Sequence, residues 1–376
     1  MITPEDLLAG PRGRRFCLGL LRRVLDQDTG PGEELHATLF WAGYHLGQAR
    51  GGGGVLFGPG AAEPHPHPST ADVAAALAAA VSAADLAATT VLEALQAVAD
   101  AAAFARYWQE PDAEDVLLAS SGLAAPLRAL ASAVAASPAV TALGVDHHDA
   151  PQWAVEFDEP DRGTGTGDTG AAAPGAVTAA RRTADWQRAL LAEVAAVRPS
   201  DRRRPAASHR GGEWWSTPPW GLLVTTAALD DGPVGLWAVE DDQGWDRALV
   251  SPVTAPPDAR VAIVDDAEDW ADLCRVGAVD VSGTTRRHDW YWTTGRDGDW
   301  ITPDWAAIAR AYDAVHLTFR GWLRAAGTAV PVDASTASVI AGWTPGSTVW
   351  LRDPQPGLGA SAAWRWDDEA ERWIAS

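Results

Sequence analysis

All but four of the twenty tryptophans, Trp41, Trp108, Trp153 and Trp186, stand at or beyond Trp214. An indole carries too much apolar surface to be left in water in such numbers. The chain from Trp214 onward must therefore build its core around flat, rigid rings. The first 150 residues hold only Trp41 and Trp108 and are rich in alanine, which packs helices closely but fills little space. Three segments follow from this contrast. Residues 1–150 read as an all-helical array. Residues 151–212 read as a short strand, a Gly-rich linker and a connecting helix, and residues 213–376 as a Trp-rich mixed domain. The expected fold class is α+β.

In the first segment, Cys17, Leu20, Leu21, Val24 and Leu25 recur at helical spacing. A second helix is expected from Glu33 to about Arg50, ended by the run Gly51–Gly54. Ser69 or Thr70 caps a long helical region reaching about Trp108, with a break near Thr89-Thr90. Further helices are expected over Pro111–Ala119 and Leu123–Ala136, the latter stopped by Ser137-Pro138, for five or six in all. Trp153–Phe157 alternates as a strand does. Gly163–Gly170 reads as linker, and Thr178–Val197 as the hinge helix.

Beyond Trp214, strands are expected at Leu222–Thr226, Val234–Val239, Arg247–Val253, Arg260–Val264, Val279–Val281, Asp289–Thr293, Val315–Thr318, Ser338–Ala341 and Ser347–Leu351. Helices are expected from Asp266 or Glu268 to Arg275, over Pro303–Ala311 and over Arg320–Ala326. Asp-Trp pairs begin at Asp185, Asp269, Asp289, Asp299 and Asp304. Their irregular spacing excludes a repeat propeller.

All 29 basic residues are arginine. Without lysine there is no P-loop lysine, no kinase strand lysine and no Schiff-base nucleophile, which excludes those enzyme classes. A net charge of -21 repels phosphate backbones and anionic membranes, so neither nucleic acid nor membrane is an expected partner. Asp72, Asp85, Glu93 and Asp100 interrupt the Ala-rich stretch that a membrane span would need. With two unpaired cysteines and no secretory signal, a cytoplasmic location is expected.

No metal site is expected. Glu33 and His36 form half of a di-iron carboxylate pattern without a second copy, and His36 and His45 point to opposite sides of a helix. His65 and His67, like His147-His148-Asp149, lie in loops. There is no Gly-x-Ser-x-Gly elbow, and Cys17 sits on a helix face. Glu240-Asp241-Asp242, Asp265-Asp266 and Glu268-Asp269 supply carboxylates of the kind glycosidases use, but as adjacent acids at strand ends they read as solvated turns.

The most suggestive segment is Ser208-His-Arg-Gly-Gly-Glu-Trp-Trp-Ser-Thr-Pro-Pro-Trp-Gly-Leu-Leu-Val-Thr-Thr226. It is followed by Trp305–Arg310, Tyr312–Thr318, Gly342-Trp-Thr-Pro and Val349–Leu351. This order resembles ADP-ribosyltransferase-like domains. The resemblance covers only the C-terminal half, and it implies an NAD-using transferase or glycohydrolase. Arg210 would then meet a phosphate, Ser216 and Thr217 would hold the nicotinamide half, and Trp214 or Trp215 would stack on a ring. No glutamate lies between Glu268 and Glu369, so Asp313 or Glu240 would supply the catalytic carboxylate. NAD would be a co-substrate, with no cofactor required and the helical half regulating or targeting the domain. The other reading is a non-catalytic interaction module whose tryptophans anchor a protein partner. The two differ over whether Arg210, Ser216 and a carboxylate converge on one cleft.

Overall fold

The computed structural model describes residues 1–52, 54–57, 64–145, 148–158, 177–240, 244–353 and 356–376. The linker expected at Gly163–Gly170, and also Gly53, His147, Asp241 and Asp242, lie outside the described residues. The architecture is α+β, a helical array followed by a mixed-sheet region.

Eight α-helices are described before residue 150, more than the five or six expected. The chain caps several of them with one device. In Thr3/Asp6, Ser69/Asp72 and Thr90/Glu93, the hydroxyl accepts the third residue's N–H and the carboxylate returns the bond to the cap. The Thr90 box explains why the long alanine region breaks into Thr70–Ala83 and Val91–Ala103. Pro138 does not end helical structure. It stands at the first position of a further helix, Pro138–Leu143, where its missing N–H costs nothing.

The principal sheet has eight strands along its path: Gln152–Phe157 (β1), Val224–Leu229 (β2), Arg247–Thr254 (β3), Val261–Val264 (β4), Ala314–Leu317 (β5), Ser347–Trp350 (β6), Ala362–Asp367 (β7) and Arg372–Ala375 (β8). Their spatial order is β8-β7-β3-β1-β2-β6-β5-β4. Only β4 and β5 pair in parallel, and the helix Ala267–Val276 follows β4. A second, four-stranded sheet holds Ala278–Asp280, Asp299–Pro303, Thr336–Ser338 and Val330–Pro331. The C-terminal hairpin β7–β8 was not anticipated, although Trp364 and Trp366 alternate across it.

Two expected strands are something else. Asp289–Thr293 lies within the helix Arg286–Thr294, which ends at Gly295 in the left-handed conformation (φ 72°). Its β-prone residues are overruled because Arg286, Asp289 and Trp290, at helical spacing, all find buried places. Val234–Val239 holds a short 3-10 turn, Val234–Leu236. Val234, Gly235, Leu236, Trp237 and Ala238 are buried in succession, where a half-buried strand would alternate.

The helical array and the sheet region share a hydrophobic cluster, running from Leu7, Phe16 and Leu21 to Trp270, Trp322 and Trp343. β1, placed by sequence in the connecting segment, is a central strand between β2 and β3. The junction is also ionic. Asp6, buried, takes Arg320 at 3.1 Å and Arg324 as well. Burial pushes the Asp6 pKa up. The Thr3 N–H and the two guanidinium groups outweigh it and hold the carboxyl below its ordinary value. Phe16 meets Phe319 edge to face at 6.2 Å. No helix among the described residues is long and apolar enough to cross a membrane.

Candidate binding site

On one face of the sheet, a cavity of about 270 Å³ is walled by Trp153, Val155 and Phe157 of β1, Val224 and Thr226 of β2, and Ser347 and Val349 of β6. These are alternate residues of their strands, so they project to the same side. The segment Thr217–Leu222 and the turn Gly342–Thr344 close it from above, and Gly235, Val239, Glu240 and Trp245 complete the described lining.

The turn is held by backbone. Ser216, buried, accepts the Ala341 N–H on its hydroxyl at 2.9 Å. Gly342 has φ 78°, and a Cβ there would lie 2.7 Å from Trp215 Cδ1 and 3.1 Å from Trp214. Only glycine fits under the two indoles in that conformation. Trp214 and Trp215 stack at 4.4 Å, and Trp214 also stacks on Tyr107 at 5.3 Å. The expected aromatic clamp is thus a packing element that joins the helical array to the turn.

Glu240 is the buried hub beneath it. Its Oε1 accepts from the Tyr107 hydroxyl at 2.6 Å and the Trp322 indole N–H at 2.8 Å. Its Oε2 accepts from the Gly342 N–H at 2.8 Å and the Trp343 N–H at 3.1 Å. Arg12 Nε lies 3.5 Å from Oε1, and the Glu240 side chain is only 1% exposed. Burial raises the Glu240 pKa against the opposing pull of Arg12, Tyr107 and Trp322. Every neighbour is a donor, however, and that geometry suits the ionised carboxylate. Burial, with the Glu240 charge beside it, also drives the Tyr107 phenol well above its ordinary pKa, so it remains a neutral donor. Both Glu240 oxygens are therefore engaged by donors of the chain itself.

Of the residues selected from the sequence, Thr217 and Glu240 line this cavity and Ser216 braces it. Two others lie elsewhere. Arg210 is half exposed and pairs with Asp201 at 3.2 Å. Asp313 accepts the Arg260 N–H at 2.8 Å and pairs with Arg352 at 3.2 Å, beside the sheet's β4–β5 edge. Burial opposes these contacts, and they prevail to lower the Asp313 pKa. The other acids weighed for glycoside chemistry are also committed. Asp266 caps the helix Ala267–Val276 with Asp269 as reciprocal partner, and Asp265 accepts from the Thr318 hydroxyl at 2.6 Å.

Among the remaining candidates, Cys17 is buried and its thiol pKa is raised by burial. His45 stacks on His67 at 4.0 Å and His65 on Trp41 at 4.4 Å, so these rings face one another as plates. No group of three or more metal-ligating side chains is assembled among the described residues.

Among the described residues, no arginine lines the cavity. Arg182 rests against Gly221 at its rim without entering the lining. The hydroxyls of Thr226 and Ser347 are already bonded, to the Gly235 N–H at 3.1 Å and the Thr344 carbonyl at 2.6 Å. Thr217 and Thr344, both partly exposed, make no side-chain hydrogen bond among the described residues. Their hydroxyls are left for a guest. Trp220, 77% exposed, stands at the mouth.

Sequence reasoning missed Phe157, Trp245 and Thr344. The alternation of Trp153–Phe157 could have marked one wall, but nothing local says which face of a strand a cavity will occupy. Fold and site together define an α+β protein with an aromatic-walled cavity against its central strands. No family model, curated protein or solved structure matches the chain.

Proposed function

We propose that this protein is a non-catalytic binding module whose principal cavity takes a neutral, ring-bearing small molecule. The observation that carries this reading is the chemistry of the described lining: aromatic and aliphatic walls, two unengaged threonine hydroxyls, and one carboxylate, Glu240, already saturated by internal donors. Flat rings gain most between such walls, and a few placed hydroxyls orient them. A dinucleotide would bring a pyrophosphate into a cavity without a cation among its described lining residues. NAD chemistry would also need Arg210 and a free carboxylate at the same place. Binding of a neutral ring is therefore better supported than NAD chemistry, and it differs from the protein-anchoring module in placing the aromatic residues around a cavity.

The test is calorimetric titration with indole and 2-phenylethanol, alongside incubation with NAD and assay for nicotinamide. Saturable binding of a neutral ring compound is expected, abolished by Val224→Trp, which fills the mouth from an exposed wall position. Thr217→Val or Thr344→Val should each weaken it about five- to tenfold, one lost hydrogen bond. Failure of every neutral ring probe, or nicotinamide release from NAD, would overturn the proposal.

A further inference from the structure

A second cavity, of about 310 Å³, adjoins the first and shares Phe157, Val239 and Trp245 with it. Its other walls include Trp237, Trp366 and Trp373, and its rim carries Asp246 and Asp368. The ring geometry differs from that of a slot. Trp237 and Trp366 meet at 75° with centroids 5.7 Å apart, and Trp366 and Trp373 at 70° and 5.9 Å. Phe157 is tilted 53° against Trp373 at 5.8 Å. Parallel walls hold a flat ring, whereas successive near-perpendicular walls form a corner that suits a rounded group. Trp237 and Trp373 are buried, and the Trp237 indole N–H is tied to the Asp231 carbonyl at 3.3 Å, so the corner is preformed.

The electrostatics of this corner are one-sided. Asp246 and Asp368 are exposed, and their carboxylates take part in no ion pair or side-chain hydrogen bond among the described residues. Among the described residues, neither arginine nor histidine lines the cavity. Neighbouring Arg365 turns instead to Asp367, at 3.5 Å. Indole faces attract cations through the ring quadrupole, and two unpaired carboxylates at the rim add to that field. The chain has no lysine, so any bound ammonium other than its own N-terminus must come from another molecule.

We propose that the corner formed by Trp237, Trp366 and Trp373 beneath Asp246 and Asp368 binds the methylated ammonium group of a small quaternary amine. Such a head is rounded, permanently charged and weakly hydrated, and it matches both the shape and the sign of the cavity. A small molecule is favoured over a modified peptide because the cation would sit in a recess between the hairpin, β1 and Ala99 of the helical array.

Calorimetry with choline and with its neutral isostere 3,3-dimethyl-1-butanol tests this directly. Choline should bind at least about tenfold more tightly than the alcohol, a difference that one or two cation–π contacts supply. Trp366→Leu should weaken choline about tenfold. Asp368→Asn, at an exposed position where folding is not at stake, should weaken it about two- to fivefold and flatten its salt dependence. Thr344→Val, which touches only the first cavity, should leave choline binding unchanged, so the two proposals succeed or fail separately. Equal affinity for the alcohol, or no choline binding at millimolar concentration, would overturn the assignment. Tighter binding of a trimethyl-lysine peptide than of choline would overturn the small-molecule source.

Discussion

Tyr107, from the helical array, donates its phenol to Glu240, from the sheet region, at 2.6 Å inside the buried junction between them. The same carboxylate holds the Gly342-Trp343 turn that covers the principal cavity, so the helical array supports the candidate site through this acid as well as through the Trp214 stack.

Tyr107→Phe should destabilise the protein by about 1–2 kcal/mol, because Glu240 keeps its other donors. Arg12→Met should cost about 3–5 kcal/mol, because it leaves a buried carboxylate without its countercharge. The double variant should fall short of the sum, since both act on Glu240. Urea unfolding of the four proteins measures this.

Two hydrophobic clusters, each spanning both halves, imply one cooperative unit. Calorimetry should therefore show one unfolding transition. A chain cut at residue 150 should fail to give a cooperative helical domain, because Phe16 and Asp6 would lose Phe319, Arg320 and Arg324. Two resolved transitions would contradict it.

Asp289 offers a pH signature. Burial raises its pKa to about 6 from an unfolded value of 3.8, against the Gly212 and Glu213 N–H groups and Arg286. The folded state therefore holds this proton more tightly than the unfolded state does. Its contribution to stability is fully present below about pH 4 and is lost as pH rises through 6. Relative to Asp289→Asn, the wild type should lose melting temperature steadily between pH 4 and 7. A constant difference would exclude Asp289 as the source.

Gly342→Ala should cost both stability and ligand binding, since a Cβ at φ 78° would collide with Trp215. A loss of about 1–3 kcal/mol is expected, with binding at the principal cavity weakened at least tenfold. Arg210→Ala and Asp313→Ala, away from the cavity, should leave that binding unchanged when titrated in parallel.

Much was readable along the chain because it depends on near neighbours. Thr90 and Glu93 stand three residues apart, and that spacing alone closes a capping box. The tryptophan imbalance likewise announced two modes of packing and an α+β class. By contrast, the strand-like run Asp289–Thr293 became helical, because the burial of Arg286 and Trp290 outweighed its local preference.

The candidate site divides along the same line. The resemblance to ADP-ribosyltransferase-like domains singled out Ser216, Thr217 and Glu240, and with them Arg210 and Asp313, as residues with useful chemistry. Only the tertiary structure separated the two groups, by bringing Ala341–Thr344 between Ser216 and Glu240 and leaving Arg210 to Asp201 on the surface. The reason is physical. A side chain's type and its helical or strand spacing are properties of a few consecutive residues. A cavity is bounded by segments more than a hundred residues apart, and its walls are chosen by which apolar faces the whole chain can bury together.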